Sequence, residues 1–249
     1  MAAMSASGRY GECRIAAGIV GHADLRLGEQ VGPILEAQIA AGNGRLRGIR
    51  APTAYAEVSV FGRASDPAVK GLMADSRFRR GVALLERYAL TLDVWCFHTQ
   101  LGELAQLAAA CPSTVIILDH LGTPLRARAA PGRNAEIVES WRRGIRELAR
   151  RPNLRAKLGG LGMNLEGRID GRPGSATSIE LAAEWRPYIE TCIEAFGPKR
   201  CMFESNFPVD SGCSYGVLWN SFKRITAGCS EEEKTLLFSG TADEVYRLK

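Results

Sequence analysis

The sequence predicts an α/β domain built on a parallel sheet, and three observations support that expectation. First, Thr114-Val-Ile-Ile-Leu-Asp-His120 sets five β-branched or apolar residues in a row before an acid and a histidine. An unbroken run of that kind suits a strand buried on both faces, as in parallel sheets. Second, Leu90-Thr-Leu-Asp-Val-Trp-Cys-Phe-His98 and Ile19-Val-Gly-His22 repeat the pattern, so each of the three histidines ends a strand-like run. Third, strand-like and helix-like segments alternate, which implies right-handed crossovers between parallel strands.

Taken in order, a strand at about 15–21 precedes a helix near 28–42, with Val31, Ile34, Leu35 and Ile39 close to helical spacing. Gly42-Asn43-Gly44 stops that helix. Leu46-Arg-Gly-Ile-Arg50 is the second strand, 51–66 reads as a loop, and helical material near 67–88 leads to the strand ending at His98. A helix over about 100–110, closed by Pro112, precedes the strand ending at His120. The loop 121–133 carries Arg126, Arg128 and Arg133 among glycines and prolines, and a helix follows at about 134–150. Leu154-Arg-Ala-Lys-Leu158 is the fifth strand, ended by Gly159-Gly160, and 160–177 is a Gly-rich loop. Thr177-Ser-Ile-Glu180 forms a capping box that opens a helix to about Phe196. Cys201-Met-Phe-Glu-Ser-Asn206 is the sixth strand, with a helix at about 215–227 after it. A second capping box, Ser230-Glu-Glu-Glu233, opens a final helix that breaks near Gly240. An eight-stranded barrel needs two more βα units, more than the fourteen leading residues can hold.

Composition bounds the function. The 249 residues, 46% of them hydrophobic, suit one domain of barrel size, so 1–249 is read as a single unit. The net charge of +5 is dispersed, as at Arg142-Arg143 and Lys199-Arg200, and no nucleic-acid-binding signature accompanies it. No apolar run approaches the ~18 residues of a membrane span. Seven cysteines contain no C-x-x-C pair, and an odd count with no signal peptide points to a reducing cytoplasm.

Histidines at strand ends lie where parallel α/β folds build their sites. His98 and His120 are 22 residues apart, one βα unit, a spacing that can bring them to adjacent strand ends. Two imidazoles with a carboxylate can hold a catalytic divalent metal. Opposite strand parity turns Asp119 away from His120, and if His98 points inward, Cys96 and Val94 share its face. Glu204 inside a sheet needs a partner, and Lys157 on the neighbouring strand is the expected one.

As a set, His98-Thr-Gln-Leu101, Leu118-Asp-His-Leu-Gly122, Lys157-Leu-Gly-Gly160, Glu204-Ser-Asn-Phe-Pro208 and Leu236-Leu-Phe-Ser-Gly-Thr-Ala242 resemble the amidohydrolase-related (amidohydrolase 2) family. These are TIM-barrel hydrolases, and the branch resembled is that of the sugar-lactone and pyrone-dicarboxylate lactonases. The resemblance implies an incomplete (β/α)8 barrel whose six strands are the family's third to eighth, truncated at the N-terminus. It implies a hydrolase that cleaves the ester bond of a small carboxylated or sugar-derived lactone, with a family-type metal-dependent decarboxylase as one alternative. The other alternative is a catalytically impaired or inactive remnant that acts through self-association or a partner.

By position, Arg50, His98, His120 and Asn206 are the implied catalytic residues. His22, Lys157 and Asp210 are the implied substrate contacts, and His98 and His120 the ligands of a zinc-like divalent metal. The family's His-x-His pair is absent, and Asn206 stands where the family carries aspartate. An amide cannot accept a proton from water, so Asp210 is the nearby carboxylate that can substitute. Two missing strands would leave open sheet edges, a route to self-association.

Overall fold

Six parallel strands form one sheet in the order of the sequence: β1 (Ile19–Gly21), β2 (Leu46–Pro52), β3 (Thr91–Trp95), β4 (Ile116–Leu118), β5 (Leu154–Leu158) and β6 (Cys201–Phe203). The computed structural model describes residues 7–9, 11, 16–125, 134–163, 165, 176–210 and 212–248. The sheet curls without closing, an incomplete TIM barrel. Its crossover helices are α1 (Gly32–Ala41), α2 (Ser76–Leu84), α3 (Leu101–Ala110), α4 (Asn134–Ala149) and α5 (Ser178–Phe196). The chain finishes with α6 (Tyr215–Ile225), α7 (Glu231–Thr235), a π-helical turn at Leu236–Gly240 and α8 (Thr241–Tyr246). That wider turn is the break expected near Gly240. The three loop arginines Arg126, Arg128 and Arg133 lie outside the described residues.

Alternation along the strands creates two unlike faces. The convex face buries Ile49, Leu92, Val94, Ile116, Leu118, Leu154, Ala156, Leu158 and Phe203 in one continuous core under the helices. Cys96, just past β3, joins that core, so it and Val94 face the helices, away from the histidines. The concave face is largely polar, and its small apolar cluster of Ile117 and Met202 is covered by Tyr246 from α8.

The C-terminal segment reaches across the opening of the curl. Phe238 packs on Phe203 of β6, with ring centroids 4.7 Å apart. On the opposite side, Arg47 of β2 donates from Nε to the Arg247 carbonyl. Among the described residues no helix is long and apolar enough to cross a membrane.

Local chemistry fixes the ends of these elements. Both capping boxes form: Thr177 with Glu180, and Ser230 with Glu233, each pair satisfying two backbone N–H groups. The Asn153 amide donates to the carbonyls of Ala108, Cys111 and Thr114, which ties the end of α3 to the segments that lead into β4 and β5. Trp141 of α4, fully buried, donates its indole N–H to the Leu121 carbonyl and anchors the turn that carries His120. Gln100 accepts from the Tyr55 amide and donates to the Thr53 carbonyl, which pins the loop after β2.

Candidate active site

The carboxyl ends of the strands converge on a charged cluster on the concave face. β2 supplies Arg50, β3 supplies Asp93 and Trp95, β5 supplies Lys157, and the turns after β4 and β6 supply Asp119, His120 and Glu204. Lys157 Nζ lies 2.6 Å from Asp93 Oδ2 and 3.0 Å from Asp119 Oδ1. Burial pushes the Lys157 ammonium towards neutrality, but the charges of Asp93 and Asp119 outweigh it, so its pKa stands well above the ordinary lysine value.

The expected Lys157–Glu204 pairing is therefore replaced. Register places Lys157 opposite Met202, and β6 ends at Phe203, so Glu204 lies beyond the regular strand. Glu204 Oε1 instead lies 2.5 Å from His120 Nδ1 and accepts the His120 backbone N–H at 3.0 Å. Burial raises the Glu204 carboxyl, yet its hydrogen bonds from His120 and the nearby charges hold it below the ordinary glutamate value.

Strand parity also misplaces Asp119. The chain leaves β4 after Leu118, and His120 takes a left-handed conformation with φ 54°. Both side chains then meet Arg50: Nε is 3.3 Å from Asp119 Oδ2, and Nη2 is 3.2 Å from His120 Nε2. A guanidinium only donates, so Nε2 accepts and the imidazole proton resides on Nδ1, pointing at Glu204.

The glycines after β5 allow this crowding. A Cβ on Gly159 would lie 2.6 Å from Glu204 Cγ, and one on Gly160 would lie 2.5 Å from His120 Cβ. A Cβ on Gly162 would sit 3.3 Å from the Asp210 carboxyl. The Gly-Gly-Leu-Gly run is thus the site's backbone wall, packed directly on its side chains.

The remaining implied residues make other contacts. His22 is exposed and donates from Nδ1 to the Arg50 carbonyl at 3.1 Å. His98 sits in a short turn past β3, where Nδ1 accepts the Leu125 backbone N–H at 3.2 Å, and burial lowers its pKa. The aromatic neighbour of His120 is Trp95, edge-on with centroids 6.2 Å apart. Asn206, with φ 47°, donates from Nδ2 to Asp210 Oδ1 at 2.9 Å. Asp210 is 1% exposed, and its Oδ2 accepts from Gly162 N–H; burial pushes its carboxyl up to about 6.

Asp93, Trp95 and Tyr246 were not singled out from the sequence. The signal for Asp93 was present: an acid inside the apolar run Leu90–Trp95 requires a buried partner. Nothing local marked Tyr246, which lies 153 residues from the aspartate it contacts.

A resident metal is implied by the family resemblance, and the donors do not fit one. Nδ1 and Nε2 of His120 are taken by Glu204 and Arg50, and a guanidinium stands where a cation would approach. Nδ1 of His98 is taken by the Leu125 amide. Among the described residues, no three or more His, Cys, Asp or Glu side chains form a group able to hold a metal ion.

The chain is similar to known proteins over most of its length. The chain is 34% identical over 232 residues to the uncharacterized protein y4mH of Sinorhizobium fredii, spanning 93% of this chain and 70% of that one. It is 32% identical over 241 residues to L-fucono-1,5-lactonase of Burkholderia multivorans, spanning 95% and 73%. A crystal structure of an amidohydrolase from Burkholderia multivorans with bound Zn superposes with TM-score 0.76 at 28% identity, covering 99% of this chain and 78% of that one. The Amidohydrolase family model (Amidohydro_2) matches residues 11–248, and the chain belongs to that family.

Proposed function

We propose that this amidohydrolase is a lactonase-type hydrolase that opens the ester bond of a small carboxylated or sugar-derived lactone. The observation that carries the reading is Arg50, whose side chain is 44% exposed at the mouth of an otherwise buried charge cluster beside the His120–Glu204 dyad. A relative at 32% identity is named as a sugar lactonase, which supports the substrate class.

Arg50 donates to the lactone carbonyl and stabilises the charge that grows there as water attacks. Turning to the carbonyl frees Nε2 of His120, which takes a proton from that water while Glu204 steadies the imidazolium. The water oxygen bonds to the carbonyl carbon and the ring C–O bond breaks. The imidazolium returns its proton to the leaving alkoxide, giving a hydroxy acid. His22, His98 and Asn206 contact the substrate, Asp210 orients Asn206, and Lys157 supports Arg50 from below. No step passes through a metal, because the donor set does not fit one.

The test is hydrolysis of a panel of sugar 1,5-lactones and carboxylated lactones by the wild-type chain and by Arg50→Ala. Ring opening by the wild type and its loss in the variant are expected. A panel left intact by the wild type, or hydrolysed equally by both proteins, would sink the reading.

A further inference from the structure

Behind Arg50 the concave face holds a continuous line of polar contacts that ends at the last helix. Tyr246 of α8 donates its hydroxyl to Asp93 Oδ2 at 2.7 Å, the same oxygen that Lys157 approaches. Its ring also lies under the Lys157 ammonium, 5.5 Å from ring centroid to Nζ. Lys157 then reaches Asp119, and Asp119 reaches Arg50.

Exposure along this line is uneven. Asp93 and Asp119 are 1% and 0% exposed, and Tyr246 is 9% exposed, while the Arg50 side chain is 44% exposed. A buried ionic cluster is commonly matched or bettered in stability by apolar packing of the same volume. Arg50 is the part of the line that opens widely to solvent, so the arrangement acts outwardly through it.

Asp119 is the link that makes this coupling sensitive. Each of its oxygens faces a different cation, and neither makes a well-aligned hydrogen bond. Its hold on Arg50 is electrostatic and shared with Lys157. How far Lys157 leans towards Asp119 depends on Asp93, whose charge is partly satisfied by the Tyr246 hydroxyl. Burial and the Asp93 carboxylate keep that phenol protonated, and therefore a donor.

We propose that Tyr246 and Asp93 are positioning residues for Arg50: they fix Lys157, Lys157 fixes Asp119, and Asp119 holds the guanidinium at the mouth of the site beside His120, from where it turns to a bound carbonyl. On this inference the C-terminal helix is part of the active-site machinery, beyond its role in covering the concave face. The catalytic consequence rests on the lactonase reading, whereas the geometric consequence does not.

Nitrogen-15 labelling of the three histidines tests it in the 249-residue chain. In the wild type, Nε2 of His120 is an unprotonated acceptor, and Arg50→Lys sets the signal for loss of the guanidinium fork. Tyr246→Phe and the isosteric Asp93→Asn are expected to move the Nε2 signal towards that of Arg50→Lys, and Asp93→Asn keeps the test alive if Tyr246→Phe misfolds. On a lactone turned over by the wild type, kcat falls about tenfold with KM little changed, the mark of a displaced catalytic group. Folded variants that keep the wild-type Nε2 signal overturn the proposal, even if their thermal stability drops. Should the wild type hydrolyse no lactone, the nitrogen signal still decides, so the two readings fail separately.

Discussion

The guanidinium of Arg50 and the imidazole of His120 meet at 3.2 Å, a contact that in the proposed mechanism ties polarisation to proton transfer. Arginine keeps its charge in proteins, so while the contact stands it masks the one lone pair His120 offers. Arg50→Ala leaves a buried Asp119 with Lys157 alone and removes the carbonyl donor. A loss of about 10²–10³ in kcat/KM is expected for such a donor, measured by initial rates of lactone opening. A loss smaller than about threefold removes Arg50 from the mechanism.

Glu204→Gln tests the other side of the imidazole. The amide keeps the shape but lacks the charge that steadies an imidazolium, so kcat should fall while KM holds. In the wild type the Glu204 carboxyl lies below the ordinary value of 4.5, so its contribution to stability is present above that pH and is lost as pH falls through the folded value. The variant therefore shows a shallower loss of stability on acidification than the wild type, read from denaturant midpoints across that range. Parallel acid profiles would count against the dyad.

Gly160→Ala should cost both stability and activity. Its Cβ would press to 2.5 Å from His120 Cβ, at a φ of 74° that side chains rarely adopt. About 2 kcal/mol or more of destabilisation follows from strain and clash together. Gly102→Ala, with nothing within 4 Å of the added carbon, is the matched control. Equal midpoints for the two variants would show that the wall gives way freely.

Asp210 titrates late. Its pKa of about 6, against 3.8 in the ordinary case, means that the folded chain holds this proton more tightly than the unfolded one. Stability from this group is greatest below pH 3.8, falls as pH rises towards about 6 and is then constant, a change of roughly 3 kcal/mol. Carbon-13 titration of the aspartate carboxyls, with Asp210→Asn to assign the signal, should find one midpoint near pH 6. A midpoint below about 4.5 for that signal contradicts the buried environment.

Metal content is decided by the same crowding. Dialysis against a chelator should leave lactone hydrolysis unchanged, and the purified protein should carry well under one equivalent of zinc or manganese. One equivalent bound, with activity lost on chelation and restored by the ion, would mean that Arg50 yields its place at His120.

Much of the fold was legible in the sequence because burial and local hydrogen bonding write period and punctuation directly into it. Ile116, Ile117 and Leu118 are all fully buried, as an uninterrupted apolar run requires. The strand at Leu154–Leu158 and both capping boxes stand where their residues indicated. Strand parity failed just where the strands end. Asp119, His120 and Glu204 lie past the last ladder pairs, and left-handed turns at His120 and Asn206 reset the direction of the side chains.

The sequence by itself determined that acids, bases and histidines gather at the carboxyl ends of parallel strands, since alternation and run length depend only on near neighbours. Which acid meets which base was decided by the curl of the sheet. Lys157 bypasses the neighbouring strand's Glu204 for Asp93 two strands away, and Tyr246 joins them from the far end of the chain. Those partners are separated by 64 and 153 residues. Electrostatic energy depends on distance in space, which a linear order of residues does not encode.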